Sequence, residues 1–170
     1  MDTLQAIQTR RSIRKFKEQA VPEELIQKLL EAAMLAPSAR NQQPWHFVVI
    51  DDRSILDRVG DINPNAHMAK VAPLGILVCG DERLEKSPGY WVVDCAAAVE
   101  NILLAAHALG LGAVWTGVYP REERMKGLAE LIGLPGNVIA HSLVVVGYPG
   151  EQPSPATDRF HPDRIRRNRW

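Results

Sequence analysis

The sequence predicts a mixed fold, α+β or α/β, in which helices wrap a small central sheet. Four short apolar runs have strand character: "WHFVVI" (45–50), "LGILVCG" (74–80), "AVWTG" (113–117) and "VIAHSLVVVGY" (138–148). Segments with helical periodicity precede and separate them. No internal repeat or low-complexity linker divides the 170 residues, a length that suits one domain with a sizeable core. We therefore expect a single domain over 1–170, with about 150–170 forming a C-terminal arm.

Each element has a local reason. Asp2 and Thr3 can cap a short helix running through Gln8. "RRSIRKF" then reads as extended chain. Pro22, followed by Glu23 and Glu24, suits a helix start. Leu25, Ile26, Leu29, Leu30 and Ala33 continue it as an apolar stripe, and Pro37 stops it. Residues 37–44 form a polar loop. Short helices are expected over 52–60 and 64–71. The longest helical pattern runs from Tyr90 to Leu109 and is closed by Gly110; its alanines allow close packing against another helix. A further helix covers 121–132, with Gly133 as its stop. Beyond Pro149 the chain is basic and proline-rich, with no clear core face of its own.

Composition narrows the function. Lys+Arg and Asp+Glu are 20 each, which argues against a generic nucleic-acid or anionic-membrane binder. The positive charge is nonetheless clustered at the two ends: Arg10 to Lys17, and Arg159 to Arg169. That pattern suggests a local anion site or solvated termini. No run reads as a signal peptide or a membrane span, because Asp94, Glu100, Asn101 and His107 interrupt the longest candidate. Cys79 and Cys95 are too few for a disulfide framework; they read as free buried thiols in a reducing, cytoplasmic setting. The five histidines show no metal-helix spacing, and no Gly-x-Ser-x-Gly motif occurs, so neither a metal site nor nucleophilic catalysis is expected.

Three stretches could carry chemistry. In extended chain Arg10, Ser12 and Arg14 point to one face, and two guanidiniums with a hydroxyl make a receptor for phosphate; the same residues also read as a solvated basic segment. The "PSARNQQP" loop offers neutral donors and acceptors suited to a heterocycle edge, or is an ordinary polar turn. "GLGAVWTG" lacks the order of a dinucleotide fingerprint, since its first glycines follow a helix and precede a strand. Gly117, at a strand end, would let a ligand approach backbone N–H closely.

Taken in order, "RRSIRKF", "APSARNQQPWHFVVI", "VAPLGILVCGD", "DCAAAVENILLAAHALGLGAVWTGVYP" and "LVVVGYP" resemble the nitroreductase family of FMN-dependent oxidoreductases, over about residues 4 to 169. The resemblance implies an α+β sandwich with a mostly antiparallel sheet, assembled as an intertwined homodimer with FMN at the interface. It implies that Arg10 and Ser12 hold the FMN phosphate and ribityl chain, with Arg11 contributing mainly backbone. Arg14 is implied near flavin N1 and Asn65 at the pyrimidine edge. Trp115, Thr116 and Gly117 would face the ring, with a backbone N–H at N5. Pro37, Ser38, Ala39 and Asn41 would reach the flavin of the other subunit, and Arg159 would close on the phosphate.

The activity implied is ping-pong hydride transfer from NADH or NADPH, through flavin N5, to a small acceptor such as a nitroaromatic or quinone. No side chain is implied as a general acid, and partners are limited to a second copy and small molecules. A non-turnover flavin store or sensor, or a specialised dehalogenase-like enzyme of the same superfamily, is the alternative. Two departures stand out. Thr116 replaces an acidic residue of larger members, and Met68 stands where they often carry a second lysine near the pyrimidine, leaving Lys70 as the nearest replacement. The stretch between Lys70 and the long helix is also too short for the helical lid of larger members.

Overall fold

All 170 residues are described by the structure, a computed structural model. Its elements are α1 (Thr3–Thr9), α2 (Glu23–Met34), β1 (Trp45–Ile50), α3 (Arg53–Ile62), β2 (Leu74–Asp81), α4 (Trp91–Ala108), β3 (Gly112–Gly117), α5 (Glu122–Ile132) and β4 (Val138–Gly147). Short 3₁₀ turns cover Ala39–Asn41, Pro64–Lys70, Glu82–Leu84 and Pro162–Arg164. The strands lie in the order β1-β2-β4-β3 and every neighbouring pair is antiparallel. The fold is therefore α+β. β2 and β3 both pair with β4, so they run the same way and α4 carries the chain between them.

Alternation along the strands builds a core on each face. Leu74, Ile76, Val78, Val144 and Val146 face α2 and α4. Leu77, Cys79, Leu143 and Val145 face α3, α5 and the Pro64–Lys70 turn. The two-sided burial of β2 and β4 explains why they read as continuous apolar runs rather than alternating ones. The register of β2 against β4 shifts between Val78 and Cys79.

α4 qualifies the sequence reading. Its 18 residues, with mean hydropathy 1.3, are long and apolar enough to cross a membrane by length and composition. In the fold it is the central core helix: Cys95, Ala98, Val99, Ile102 and Ala106 have no exposure. Cys79 and Cys95 are both free and buried. Burial pushes the Cys79 thiol up to about 12 and the Cys95 thiol higher still, so neither is a ready nucleophile.

The helix ends follow sequence logic. Asp2 Oδ1 accepts from Gln5 N at 2.9 Å, and Asp52 Oδ1 from Ser54 N at 2.8 Å, capping α1 and α3. Gly133 closes α5 at φ 76°. The "RRSIRKF" segment lies along the outer edge of β3, with Ile13 N–H donating to the Ala113 carbonyl at 3.0 Å. A Cβ on Gly112 would fall 2.7 Å from Ile13 Cγ2, so this close approach requires glycine. Farther on, Lys17 N–H donates to Tyr148 O at 2.9 Å and Gly150 N–H to Lys15 O at 2.8 Å.

Leu77 lies on a central strand with no exposure. Leu77→Ala is expected to destabilise the fold by about 2–5 kcal/mol, read as a lowered midpoint in denaturant unfolding with little change in slope.

Candidate functional site

Segment 10–17, the Pro64–Lys70 turn and the end of β3 converge on a pocket of ≈ 360 Å³. Arg14 enters from the first, Asn65, His67 and Met68 from the second, and Trp115, Thr116 and Gly117 from the third. No carboxylate lines it. Five residues that the sequence singled out thus meet in one place: Arg14, Asn65, Trp115, Thr116 and Gly117.

Backbone parity explains what β3 offers the pocket. Along an antiparallel strand, alternate residues turn both N–H and C=O to the same side. Ala113 presents its carbonyl outward, to Ile13. Trp115 and Gly117 share that parity and turn outward too. The Gly117 carbonyl accordingly accepts from Asn63 Nδ2 at 3.2 Å and Arg124 Nη1 at 2.8 Å, both outside the sheet. Asn63, fully buried, also accepts from Asn65 N–H at 3.1 Å, stapling the 3₁₀ turn to the strand end. A Cβ built on Gly117 meets nothing within 4 Å. The outward N–H of Gly117 therefore faces open space without steric guard, and the N–H of Trp115 turns to the same side.

The other expected residues lie elsewhere. Arg10 caps the end of α1, and its Nε lies 3.7 Å from Glu100 of α4. Arg11 lines a separate hollow of ≈ 440 Å³ on the other side of the segment, with Ile13, His107 and Glu151. Its Nη1 donates to Gln8 O and Arg10 O, while its buried Nε has no partner. Glu151 Oε1 accepts from the backbone N–H of Arg14 at 2.6 Å and of Lys15 at 3.1 Å, fixing the segment that carries Arg14. Those bonds, Arg14's first, hold its carboxyl below the usual carboxylate range. Arg159 sits in the exposed tail.

The loop of Pro37, Ser38, Ala39 and Asn41 is remote from this pocket and tightly built. Arg40, Asn41 and Gln43 have φ of 51°, 53° and 47°, left-handed without glycine, while Gln42 between them is at −76°. Asp94, buried in the first turn of α4, holds it. Its Oδ1 accepts from Ala39 N–H at 3.0 Å and its Oδ2 from Gln42 Nε2 at 2.6 Å. Gln42 Oε1 in turn accepts from Lys86 and Ser87 N–H at 2.8 and 3.0 Å. Sequence reasoning passed over Asp94 and Gln42. The available signal was an acid in the first turn of a long, mostly apolar helix.

Behind Trp115 lies a buried aromatic group. His141 of β4 stacks on Tyr119 at 6.4 Å, meets Trp91 edge-on at 5.9 Å and Trp115 at 6.0 Å. Its Nδ1 is 2.9 Å from Ser142 Oγ. Burial lowers its pKa to about 4, so it is neutral at pH 7. No group of three His, Cys, Asp or Glu side chains converges to hold a metal ion.

The model of the Nitroreductase family matches residues 7–70 and 63–148. The chain belongs to the nitroreductase family. A Methanothermobacter thermautotrophicus protein with the provisional name NADH dehydrogenase/NAD(P)H nitroreductase is 54% identical over 170 residues, covering 100% of this chain and 88% of the relative. An FMN-dependent nitroreductase of Clostridium difficile R20291 superposes with TM-score 0.92 at 29% identity, covering 99% of this chain and 100% of that one. A Desulfovibrio desulfuricans chain, provisionally named a nitroreductase and crystallised in complex with FMN, gives TM-score 0.85 at 32% identity, over 100% and 99% of the two chains.

The buried imidazole sets a pH dependence for this nitroreductase-family fold. An unfolded histidine titrates near ~6.5, whereas His141 in the fold titrates at about 4. Between those values the unfolded chain binds the extra proton, so stability rises with pH across that window and falls on acidification. The His141 contribution amounts to up to about 3 kcal/mol between pH 7 and 4. Denaturant unfolding at several pH values should show this slope, and His141→Gln should flatten it.

Proposed function

We propose that the chain is an FMN-dependent oxidoreductase acting from NADH or NADPH toward a small acceptor such as a nitroaromatic or a quinone. The observation that carries this reading is the pocket at the end of β3. It combines an open strand edge, a glycine without steric guard, one permanent cation and an amide in a space free of carboxylates. That donor set fits the edge of a flavin ring. FMN held there would supply ping-pong hydride transfer between the nicotinamide and the acceptor.

The protein's part is positioning and electrostatics. Trp115 and Gly117 N–H groups are donors fixed by the sheet, so they need no reorganisation to meet a ring nitrogen. Arg14 supplies positive charge where a reduced flavin gathers negative charge, and Glu151 holds Arg14's backbone in place. Asn65 reads the pyrimidine edge. Arg10, Arg11, Ser12 and Arg159 are assigned to the phosphate and ribityl end. Arg11 contributes there mainly through its backbone. Thr116 Oγ1 is committed to the Leu143 carbonyl at 2.9 Å and holds the strand rather than the ligand.

We further propose a homodimer of single-domain chains. Leu4, Ile7, Leu35 and Val93 are apolar and more than half exposed, on or beside α1, α2 and α4. In the arm beyond residue 150, Phe160 is 78% exposed and Trp170 100%, finding no cover in their own chain. A second copy would cover both sets and bring the Pro37–Asn41 loop to a neighbouring pocket. The buried free thiols support a reducing, cytoplasmic setting.

The test is the visible spectrum of the purified protein, with released flavin quantified, followed by NAD(P)H oxidation with quinone and nitroaromatic acceptors. A yellow protein releasing about one FMN per chain that turns over by parallel-line kinetics is expected. A protein that stays colourless in added FMN overturns the reading, and FMN without turnover favours a flavin store or sensor. In the same assay Arg14→Ala should weaken FMN binding roughly tenfold and lower the flavin midpoint potential. An unchanged dissociation constant and potential would remove Arg14 from the site.

A further inference from the structure

Gly117 presents its N–H at the pocket from a residue with no side chain to anchor it. Pairing of β3 with β4 ends at Gly117 and Ser142. Past that point the ladder thins: the His141 carbonyl is shared between Val118 N–H at 3.3 Å and Tyr119 N–H at 2.9 Å. Glycine has more backbone freedom to lose than any other residue, and the Gly117 N–H and C=O both turn away from β4. Two side chains supply the missing restraint. Asn63 Nδ2 and Arg124 Nη1 donate to the one Gly117 carbonyl, at 3.2 and 2.8 Å, and it has a lone pair for each.

Both donors are themselves fixed. Asn63 ends α3 and has no exposure. Its N–H donates to Val59 O at 3.0 Å, its carbonyl accepts from Ala66 N–H at 2.7 Å, and its Oδ1 accepts from Asn65 N–H at 3.1 Å. Nδ2 alone reaches across to the strand. One buried amide therefore sets the spacing between Asn65 on the turn and Gly117 on β3, two walls of the pocket. Arg124 stands in the first turn of α5 and makes its bond to the carbonyl through Nη1 alone. The two helices meet closely beside these donors. A Cβ on Gly127 would fall 2.9 Å from Ile62 Cγ2, so a glycine one turn beyond Arg124 brings α5 against the residue before Asn63.

We propose that Asn63 and Arg124 are positioning residues: by clamping the Gly117 carbonyl they hold the Gly117 N–H as a fixed donor to an acceptor nitrogen of the flavin ring. This rests on the FMN reading above. Neither side chain lines the pocket, and each acts through the Gly117 backbone. The carbonyl and the N–H belong to successive peptide units joined at one Cα. With the carbonyl pinned on one side and Thr116 paired to Leu143 on the other, both dihedrals of Gly117 are set. Without the pin the N–H swings before a ligand arrives, and ordering it on binding costs affinity. That loss falls on a ring that accepts the hydrogen bond, not on flavins in general.

The experiment titrates FMN and 5-deaza-FMN, in which a C–H replaces the acceptor nitrogen N5, into flavin-stripped protein and follows fluorescence quenching. Wild type is compared with Arg124→Ala, Arg124→Lys and Asn63→Ser. Arg124 is half-buried at a helix start, so its variants should fold. Serine at 63 still caps the Pro64–Lys70 turn but is too short to reach Gly117; circular dichroism checks every variant. Wild type should bind FMN more tightly than 5-deaza-FMN. Arg124→Ala and Asn63→Ser should each weaken FMN about three- to tenfold, the fold-change that one hydrogen bond's net worth gives, and leave 5-deaza-FMN nearly unchanged. Arg124→Lys, which restores a donor, should recover most of the FMN affinity. Equal losses for the two flavins, or no loss for FMN, would overturn the positioning role while leaving the flavin site standing, as would a wild type that binds both alike. A wild type that binds neither flavin would instead overturn the FMN reading itself, and this proposal with it.

Discussion

Hydrogen bonding along the outer edge of β3 governs how the rest of the site is arranged. An edge strand leaves alternate N–H and C=O groups without partners, and a protein must cover or use them. Here the first outward residue, Ala113, is covered by Ile13. The last outward carbonyl, Gly117, is covered by Asn63 and Arg124. Between these covers the N–H groups of Trp115 and Gly117 turn outward. The N-terminal segment leaves the strand edge after a single bridge, and its departure creates the pocket while delivering Arg14 to its wall.

That departure has to be held against the tendency of a strand to go on pairing. Glu151 supplies the restraint by accepting two successive N–H groups, while Lys17 and Gly150 lace the segment to the exit of β4. The C-terminal arm is thus anchored at its root to the pocket wall. Its outer part carries exposed aromatic surface instead of a core face. The Pro37–Asn41 loop shows the same economy in another place. Left-handed Arg40 and Asn41 there, and Gln43 just beyond, cost about 1 kcal/mol or more each, and the buried Asp94 carboxylate with Gln42 satisfies the groups that hold them.

Local features of the sequence were highly legible. The four strands begin and end within one residue of the apolar runs, because buried strands leave a continuous apolar signature. The helices, including the Gly110 and Gly133 stops, follow from periodicity and capping. Strand order was not legible, since β2-β4-β3 pairing is decided by contacts distant in sequence. Where the Arg10 guanidinium turns was not legible from parity along an extended chain: Arg10 caps α1 and its Nε meets Glu100, a partner distant in sequence. Arg14, Asn65 and the β3 end were legible through resemblance, and the structure brings them into one pocket, whereas the Pro37–Asn41 loop and Arg159 stay apart from it within a single chain.

The Pro64–Lys70 turn shows how tight helical geometry redistributes chemistry. At about three residues per turn, positions 65 and 68 stack on one side, so Asn65 and Met68 both reach the pocket. Lys70 falls off that side and is neutralised by Asp61. The kink at Ala66, with φ −110° and ψ 20°, departs from the regular turn, and His67 reaches the same wall. A charge count along the sequence would favour Lys70 over His67 as the second basic group. The backbone decides otherwise, placing His67 in the wall and Lys70 on Asp61.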